Sequence, residues 1–217
     1  ELLDGRWDKN DTKDAANVAD LVSRGRCIYY DLPSPEIIEL RSLLSLRRRL
    51  KKAEHSLRMR IRNTLLAQYF PEFDMYYGAC ESESLAIIKW CLNPDKIATM
   101  SFDQFFQIVT KTKRGIAQKL RLQKIHQQAI DSIGCPMGYS VEFEASLLVE
   151  WLTMVRQYLK QTEALMEEVS MDIPEYNYLL TIPGFGPYIS ARVLASIGDP
   201  FRFSNRKQLI KMSGYDL

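Results

Sequence analysis

Between Pro35 and Pro71 the chain holds no glycine and no proline, and Ile37, Leu40, Leu44, Leu50, Leu57, Ile61 and Leu65 recur along it at helical spacing. Ser34 can cap a helix there and Pro35 suits its first position, so the pattern predicts one helix running without a breaker to Tyr69. At about 1.5 Å per residue this is a rod of roughly 50 Å, the length of a coiled-coil arm rather than of an ordinary globular helix. A second long stretch, about Val141 to Met171, carries Leu147, Leu148, Trp151, Met154, Val155, Leu159 and Leu165. Shorter helices are expected between them, near Ser84 to Leu92, Phe102 to Thr110 and Gly115 to Ile133. Two rods flanking a helical insert predict an antiparallel hairpin with a small head at its tip.

Charge supports that pairing. Arg41 to Arg62 holds nine basic residues and one acid, whereas Val141 to Glu175 holds eight acids and two bases. The rods can therefore attract each other, and the basic side can also meet a polyanion. Arg47, Lys51, Arg58 and Arg62 recur near one side of the first rod, with Arg48 and Lys52 beside them; they fit phosphate neutralisation and equally a solvated or coiled-coil flank. A looser cluster, Lys111, Lys113, Arg114, Lys119, Arg121 and Lys124, lies in the insert and is open to the same two readings.

Composition bounds the class. The 217 residues are 46% apolar and 26% charged with a net charge of +2, which permits a real core and argues against disorder. Cys27, Cys80, Cys91 and Cys135 form no CxxC pair and the two histidines offer no zinc spacing, so a reduced, cytoplasmic protein without a structural metal cluster is expected. No apolar run approaches a membrane span, and the charged start is no signal peptide. That start lacks Met and opens in mid-pattern, which predicts that the chain is part of a longer one. Ahead of the first rod, Asp11 can cap a helix through about Ser23 with Gly25 ending it, and "CIYYDLP" reads as a short strand or extended connector.

The most specific local signal is Ile182-Pro183-Gly184-Phe185-Gly186, followed four residues later by small Ser190. Pro183 stops one helix, Gly184 and Gly186 can take positive φ, and Phe185 can plug the corner into its own core. Free N–H groups of Gly186, Tyr188 and Ile189 would then meet at the positive end of the next helix, an anion site of the kind that grips a phosphate without reading bases. Arg192 lies on that helix, and Ser190 takes the small-residue slot where the two helices cross. A plain packing corner remains the alternative. Farther on, Ser204 is expected to cap a last helix reaching Met212. At the other end, Asp11 and Asp14 sit one helical turn apart; such a pair suits Mg²⁺ when further carboxylates join it, and otherwise is a cap and a surface charge.

Taken together, "KNDTKDAANVADLVSRG", a long arm with an insert, the helix-hairpin-helix corner and "SIGDPFRFSNRKQLIKMSGYDL" resemble a transposase of the insertion-sequence family numbered 110, with relatives 116 and 902. The resemblance covers essentially the whole chain and is strongest over the last forty residues. It implies a mainly α chain: the end of a RuvC-like α/β domain at 1–33, a coiled-coil arm at 34–172 with its insert at 71–140, and part of a helix-hairpin-helix transposase domain at 173–217. Asp11 and Asp14 match the last two members of the family's Asp-Glu-Asp-Asp set. The first Asp and the Glu would precede Glu1 and the nucleophilic serine would follow Leu217; Ser213 falls at the Ala of the family's Ala-Gly-Leu.

The resemblance further implies an enzyme that recombines double-stranded DNA through a phosphoserine intermediate with Mg²⁺, guided by a structured non-coding bridge RNA. Its other implications are self-association through the coiled coil and a prokaryotic, nucleoid-associated location. This span would position DNA, through Gly184, Phe185, Gly186, Tyr188, Ile189, Ser190, Arg192 and the basic rod, without itself cutting it. A non-enzymatic helix-hairpin-helix scaffold and a fragment of a DNA-repair nuclease or ligase are the competing classes.

Overall fold

The computed structural model describes residues 11–26, 32–77, 82–91, 93–110 and 115–214. The expected extended segment "CIYYDLP" falls mostly outside them, as do Lys111, Lys113 and Arg114. Residues Glu1–Ser34 and Pro35–Leu217 form two compact units. All regular structure among the described residues is helical, and no helix there is long and apolar enough to cross a membrane.

The first unit contributes α1, Asp11–Ser23. Asp11 is itself helical, and the helix ends where the sequence predicts. Gly25 at φ 63° donates to Val22 O and Arg26 donates to Leu21 O, a left-handed glycine closure of the last turn. No side chain of α1 is buried; Val18 and Val22 are 59% and 49% exposed.

The second unit is organised by two long helices. Helix α2, Pro35–Arg60, passes into a π-helical stretch at Ile61–Leu66 and a last turn, α3, Ala67–Tyr69, so the breaker-free run is helical throughout. After a 3₁₀ turn at Pro71–Phe73 the head comprises α4 (Asp74–Tyr77), α5 (Ser82–Cys91), α6 (Pro94–Ala98), α7 (Phe102–Val109) and α8 (Ile116–Ile130). A full capping box starts α7: the Ser101 hydroxyl accepts from Gln104 N–H and the Gln104 side chain accepts from Ser101 N–H. Helix α9, Tyr139–Met171, then returns along α2. The ion pairs Arg60 to Glu144, Arg156 to Glu54 and Arg47 to Glu163 run in opposite senses along the two helices, which makes the pairing antiparallel.

Two separate cores anchor this hairpin. The larger, at the head, gathers Ile61, Leu65, Phe70, Phe73, Phe105, Leu122, Leu148 and Leu152 with their neighbours. The smaller, at the opposite end, gathers Ile37, Leu40 and Leu44 of α2, Met166 of α9, and Tyr176, Ala191, Leu194 and Ala195 from the last part of the chain. Between them buried Leu159 and Thr162 of α9 continue the contact, and charged side chains flank it. Of these, Glu54 is 13% exposed and takes hydrogen bonds from both Lys51 and Arg156.

The head is closed by a backbone approach that leaves no room for a side chain. Cys135 N–H donates to Gln68 O, and a Cβ on Gly134 would stand 2.1 Å from Tyr69 O. Glu72 clamps the same loop, accepting from Ser132 Oγ at 2.7 Å and from Ile133 N–H at 3.0 Å. Gly134→Ala is therefore expected to lower unfolding stability by about 1–3 kcal/mol, as overpacking against backbone does, measurable by urea denaturation.

Three carboxylates are held below their ordinary pKa. Burial opposes ionisation of Glu54 and Glu72, but the Lys51 and Arg156 bonds on the first, and the Ile133 and Ser132 bonds on the second, outweigh it. Asp74 is lowered by the Arg62 guanidinium. Because the folded values lie below the unfolded 4.5 and 3.8, their stabilisation is complete above that range and is lost as pH falls through it. Thermal melts should accordingly fall in midpoint as the buffer is taken below about pH 4.5, and Glu72→Gln should flatten that slope.

Candidate nucleic-acid interface

The corner near residue 184 joins α10, Pro174–Leu180, to α11, Pro187–Ile197. Ile182 N–H donates to Leu179 O and Phe185 N–H donates to Ile182 O, which carries the chain out of α10 in a tight turn. Gly184 sits at φ 88°, a conformation that favours glycine. Gly186 does not: at φ −80° and ψ 174° it is extended, and it serves as the N-cap of α11. The expectation of two positive-φ glycines thus holds at one site, because Pro187 already sets the helix entry and only Gly184 must reverse the chain. Phe185 is half-buried and belongs to neither core.

Ser190 N–H donates to Gly186 O, the first bond of α11. The N–H groups of Gly184, Gly186, Tyr188 and Ile189 have no acceptor among the described residues. A Cβ at Gly184 or Gly186 would meet nothing within 4 Å, so the approach to these amides is open. Behind them, Ser190, Ala191, Leu194 and Ala195 are buried, and Arg192 is exposed. Ser190 occupies the close-packed slot expected of a small residue. The arrangement leaves several donors without acceptors at the positive end of an 11-residue helix.

Two arginines of α2 hold α11 near both ends. Arg41 Nε donates to Ala195 O at 2.7 Å, in the last turn, and Arg47 lays its guanidinium 3.7 Å from the centroid of the Tyr188 ring in the first. Arg47 also donates through Nε to Glu163 of α9 at 2.8 Å, and its side chain is only 14% exposed. A cation stacked on an aromatic face and paired with a carboxylate is fixed from two sides. The residue whose backbone carries one of the open amides is thus tied through its ring to both long helices.

This reassigns much of the basic rod. Arg47 is engaged internally instead of facing outward; Lys51 pairs with Glu54, and Arg62 makes a two-pronged bond to Asp74 at 2.6 and 2.8 Å. Arg58 is half-buried and also has a partner. The outward cations are Arg48, Arg49 and Lys52, exposed on one face of α2 and without an ion pair among the described residues. Sequence reasoning missed Arg49, and it missed Arg41 as an anchor. In the head, Lys119 and Lys124 are exposed, whereas Arg121 pairs with the buried carboxylate of Glu83.

It also passed over the end of the chain. Helix α12, Arg206–Met212, is capped by Asn205, whose side chain accepts from Lys207 and Gln208 N–H; Ser204, the expected cap, instead donates its N–H to Gln208 Oε1. Arg206, Lys207 and Lys211 are exposed and bear no ion pair among the described residues. The signal was present as a run from Pro200 onward with four bases, Arg202, Arg206, Lys207 and Lys211, and one acid, Asp216.

In the first unit, Asp11 and Asp14 occupy the first turn of α1, exposed. Neither has a salt-bridge partner among the described residues, and no group of three or more His, Cys, Asp or Glu side chains there gathers into a metal cage.

A family model described as a transposase, the DEDD type of IS110, matches residues 3–71, and one described as the transposase IS116/IS110/IS902 family matches residues 176–217. No curated protein sequence matches the chain. The first match spans α1 with both carboxylates and runs on through α2; the second begins at Tyr176 in α10 and includes the whole corner and α12. What the two define together is a transposase, a DNA-processing protein. The chain belongs to the IS116/IS110/IS902 transposase family.

The two classes of arginine can be separated experimentally. Arg47→Ala is expected to lower stability by about 2 kcal/mol, because it removes a stacked, hydrogen-bonded cation and leaves Glu163 without its partner. Arg48→Glu, on the outer face, is expected to leave the thermal midpoint within about 1 °C of the parent, since exposed substitutions of this kind change little.

Proposed function

We propose that the corner between α10 and α11 grips a backbone phosphate of double-stranded DNA, and that this span positions DNA for strand cleavage and exchange. The observation that carries the reading is the set of open amides at Gly184, Gly186, Tyr188 and Ile189 at the start of α11. Such donors hold a phosphate oxygen without reading sequence. Phe185 shapes the turn, Ser190 lets the helices approach, and Arg192, Arg206, Lys207 and Lys211 add cations around it that would make binding salt-sensitive.

On the arm, Arg48, Arg49 and Lys52 present an outward basic strip suited to the phosphates of a structured guide RNA or of DNA. Arg47 and Arg58 are held partly within the fold, whereas Lys51 and Arg62, paired with Glu54 and Asp74, stay exposed. Asp11 and Asp14 fit a Mg²⁺ site in donor chemistry: they are hard oxygen donors one turn apart and unpaired with any cation among the described residues. In a RuvC-like carboxylate set they would hold part of the coordination of an ion that, when bound, polarises a phosphodiester. With two of the four family carboxylates among its residues, the chain on its own is expected to bind DNA without cutting it.

Gly186→Asp tests the grip. A carboxylate at this N-cap would accept from the Tyr188 and Ile189 amides and occupy the anion position itself. It should keep or raise folding stability, by a few tenths of a kcal/mol, while weakening duplex binding by about 10-fold or more in fluorescence anisotropy. Unchanged affinity in a folded Gly186→Asp chain would sink the reading.

A further inference from the structure

The turn that follows α11 holds a large aromatic side chain out in water. Phe201 is 86% exposed, at the centre of the 3₁₀ turn Pro200–Arg202. Its exposure is built into the backbone. Pro200 fixes the first position, and Asp199 caps the turn, its Oδ1 accepting from Phe201 N–H at 2.8 Å. Phe203 N–H donates to Pro200 O at 3.3 Å, and the Phe203 ring is half-buried with the Arg202 guanidinium 4.7 Å from its centroid. Arg202 also donates to Met212 Sδ at 3.3 Å, which ties the turn to α12. One ring is folded back, and the other is left outside on a turn held at both ends.

Two kinds of surface meet at this turn. The first is apolar: a groove of about 560 Å³ between α11 and α12, with Ile189, Val193 and Ile197 on one wall and Leu209, Ile210 and Met212 on the other. It starts at Ile189, which carries one of the open amides, and reaches Met212, to which the turn is bonded. The second is cationic. From Pro187 to Gly214 there are five bases and one acid, and that acid, Asp199, is engaged as the cap. Arg202, Arg206 and Lys207 are exposed around Phe201 and bear no ion pair among the described residues. An intact duplex turns phosphates outward and keeps its base faces stacked, so it meets the cations alone. A strand with an unpaired base offers a negative backbone and an aromatic face together, the combination that a basic track with an exposed ring is suited to hold.

We infer that Phe201 stacks on an unpaired base of DNA bound at this face, so that the chain prefers DNA carrying an unpaired base to an intact duplex. The location rests on the reading of the α10–α11 corner as a DNA contact; the form of DNA that is preferred goes beyond it. Arg202, Arg206 and Lys207 neutralise the phosphates on either side of the stacked base, and the apolar groove lies alongside. At about 1.5 Å per residue α11 separates the corner from the turn by roughly 15 Å, so the stacked base is a few nucleotides from the gripped phosphate. Stacking tolerates any base because every base has a π-face, and the selectivity is therefore for the unpaired state rather than for sequence.

The test compares, by fluorescence anisotropy, an intact DNA duplex with the same duplex carrying one unpaired base. The 217-residue chain is expected to bind the second about 10-fold more tightly. Phe201→Ala should remove that preference and leave the affinity for the intact duplex within about twofold, with an unchanged thermal midpoint because the side chain is exposed. Phe201→Trp should restore the preference. Gly186→Asp is expected to weaken both duplexes by a similar factor, so the two contacts are read apart. Affinities untouched by Gly186→Asp but split by Phe201→Ala would reject the grip and support the stacking. Equal affinity of the parent for the two duplexes, a preference that survives Phe201→Ala, an equal loss on both duplexes in Phe201→Ala, or a preference seen with an RNA duplex and not with DNA would each overturn the inference.

Discussion

The antiparallel pairing of α2 with α9 is the constraint on which the second unit depends. Length alone does not hold such helices in water, because most helical stability in proteins comes from a packed face. That face is richest in apolar side chains near its two ends, where the head core and the smaller core lie, with buried Leu159 between them. The middle is joined by Arg47 to Glu163 and Arg156 to Glu54, so opposite charge on the two rods supports one antiparallel alignment where shape alone would specify little. Half-buried pairs gain more from such contacts than exposed ones such as Arg60 to Glu144.

That alignment also determines where the corner points. Helix α11 lies on the α2 and α9 end, with Arg41 at its last turn and Arg47 at its first. The glycine turn projects from a helix whose orientation is fixed by the arm, and its unbonded amides face outward. For a transposase, this ties the proposed phosphate grip to a rigid rod whose outer face carries separate, unpaired cations. Two tasks that the sequence lumps together as a basic helix are thereby divided: inward arginines hold the corner, and outward ones remain available to a polyanion.

Much of this was legible in the residues. The absence of any breaker from Glu36 to Phe70, the charge asymmetry of the rods and the Pro-Gly-Phe-Gly corner pointed to the hairpin and the turn, because helix continuity and turn chemistry are local properties. What was not legible depended on rotation and depth. Spacing placed Arg47 and Arg62 beside Arg48 and Lys52, but which of them faces α9, Tyr188 or Asp74 depends on partners more than a turn away. Gly186 was read as a positive-φ residue because glycine permits that geometry, yet permission is not a requirement when the next residue is proline. Ser204 lost the cap to Asn205 by one position, the usual precision of such boundaries. On α9, spacing groups Trp151, Met154 and Leu165 with Leu148 and Leu159; exposure, not spacing, separates the two faces.

The account's central claim is that the corner's amides, held in place by the arm, receive a DNA phosphate. The most direct measurement is a titration of the ¹⁵N-labelled chain with a short duplex, following amide resonances by NMR. The account predicts that Gly184, Gly186, Tyr188 and Ile189 move together and downfield at low salt, with the head amides of α7 and α8 unmoved. Perturbations confined to the head, or binding that leaves those four amides in place, would contradict it.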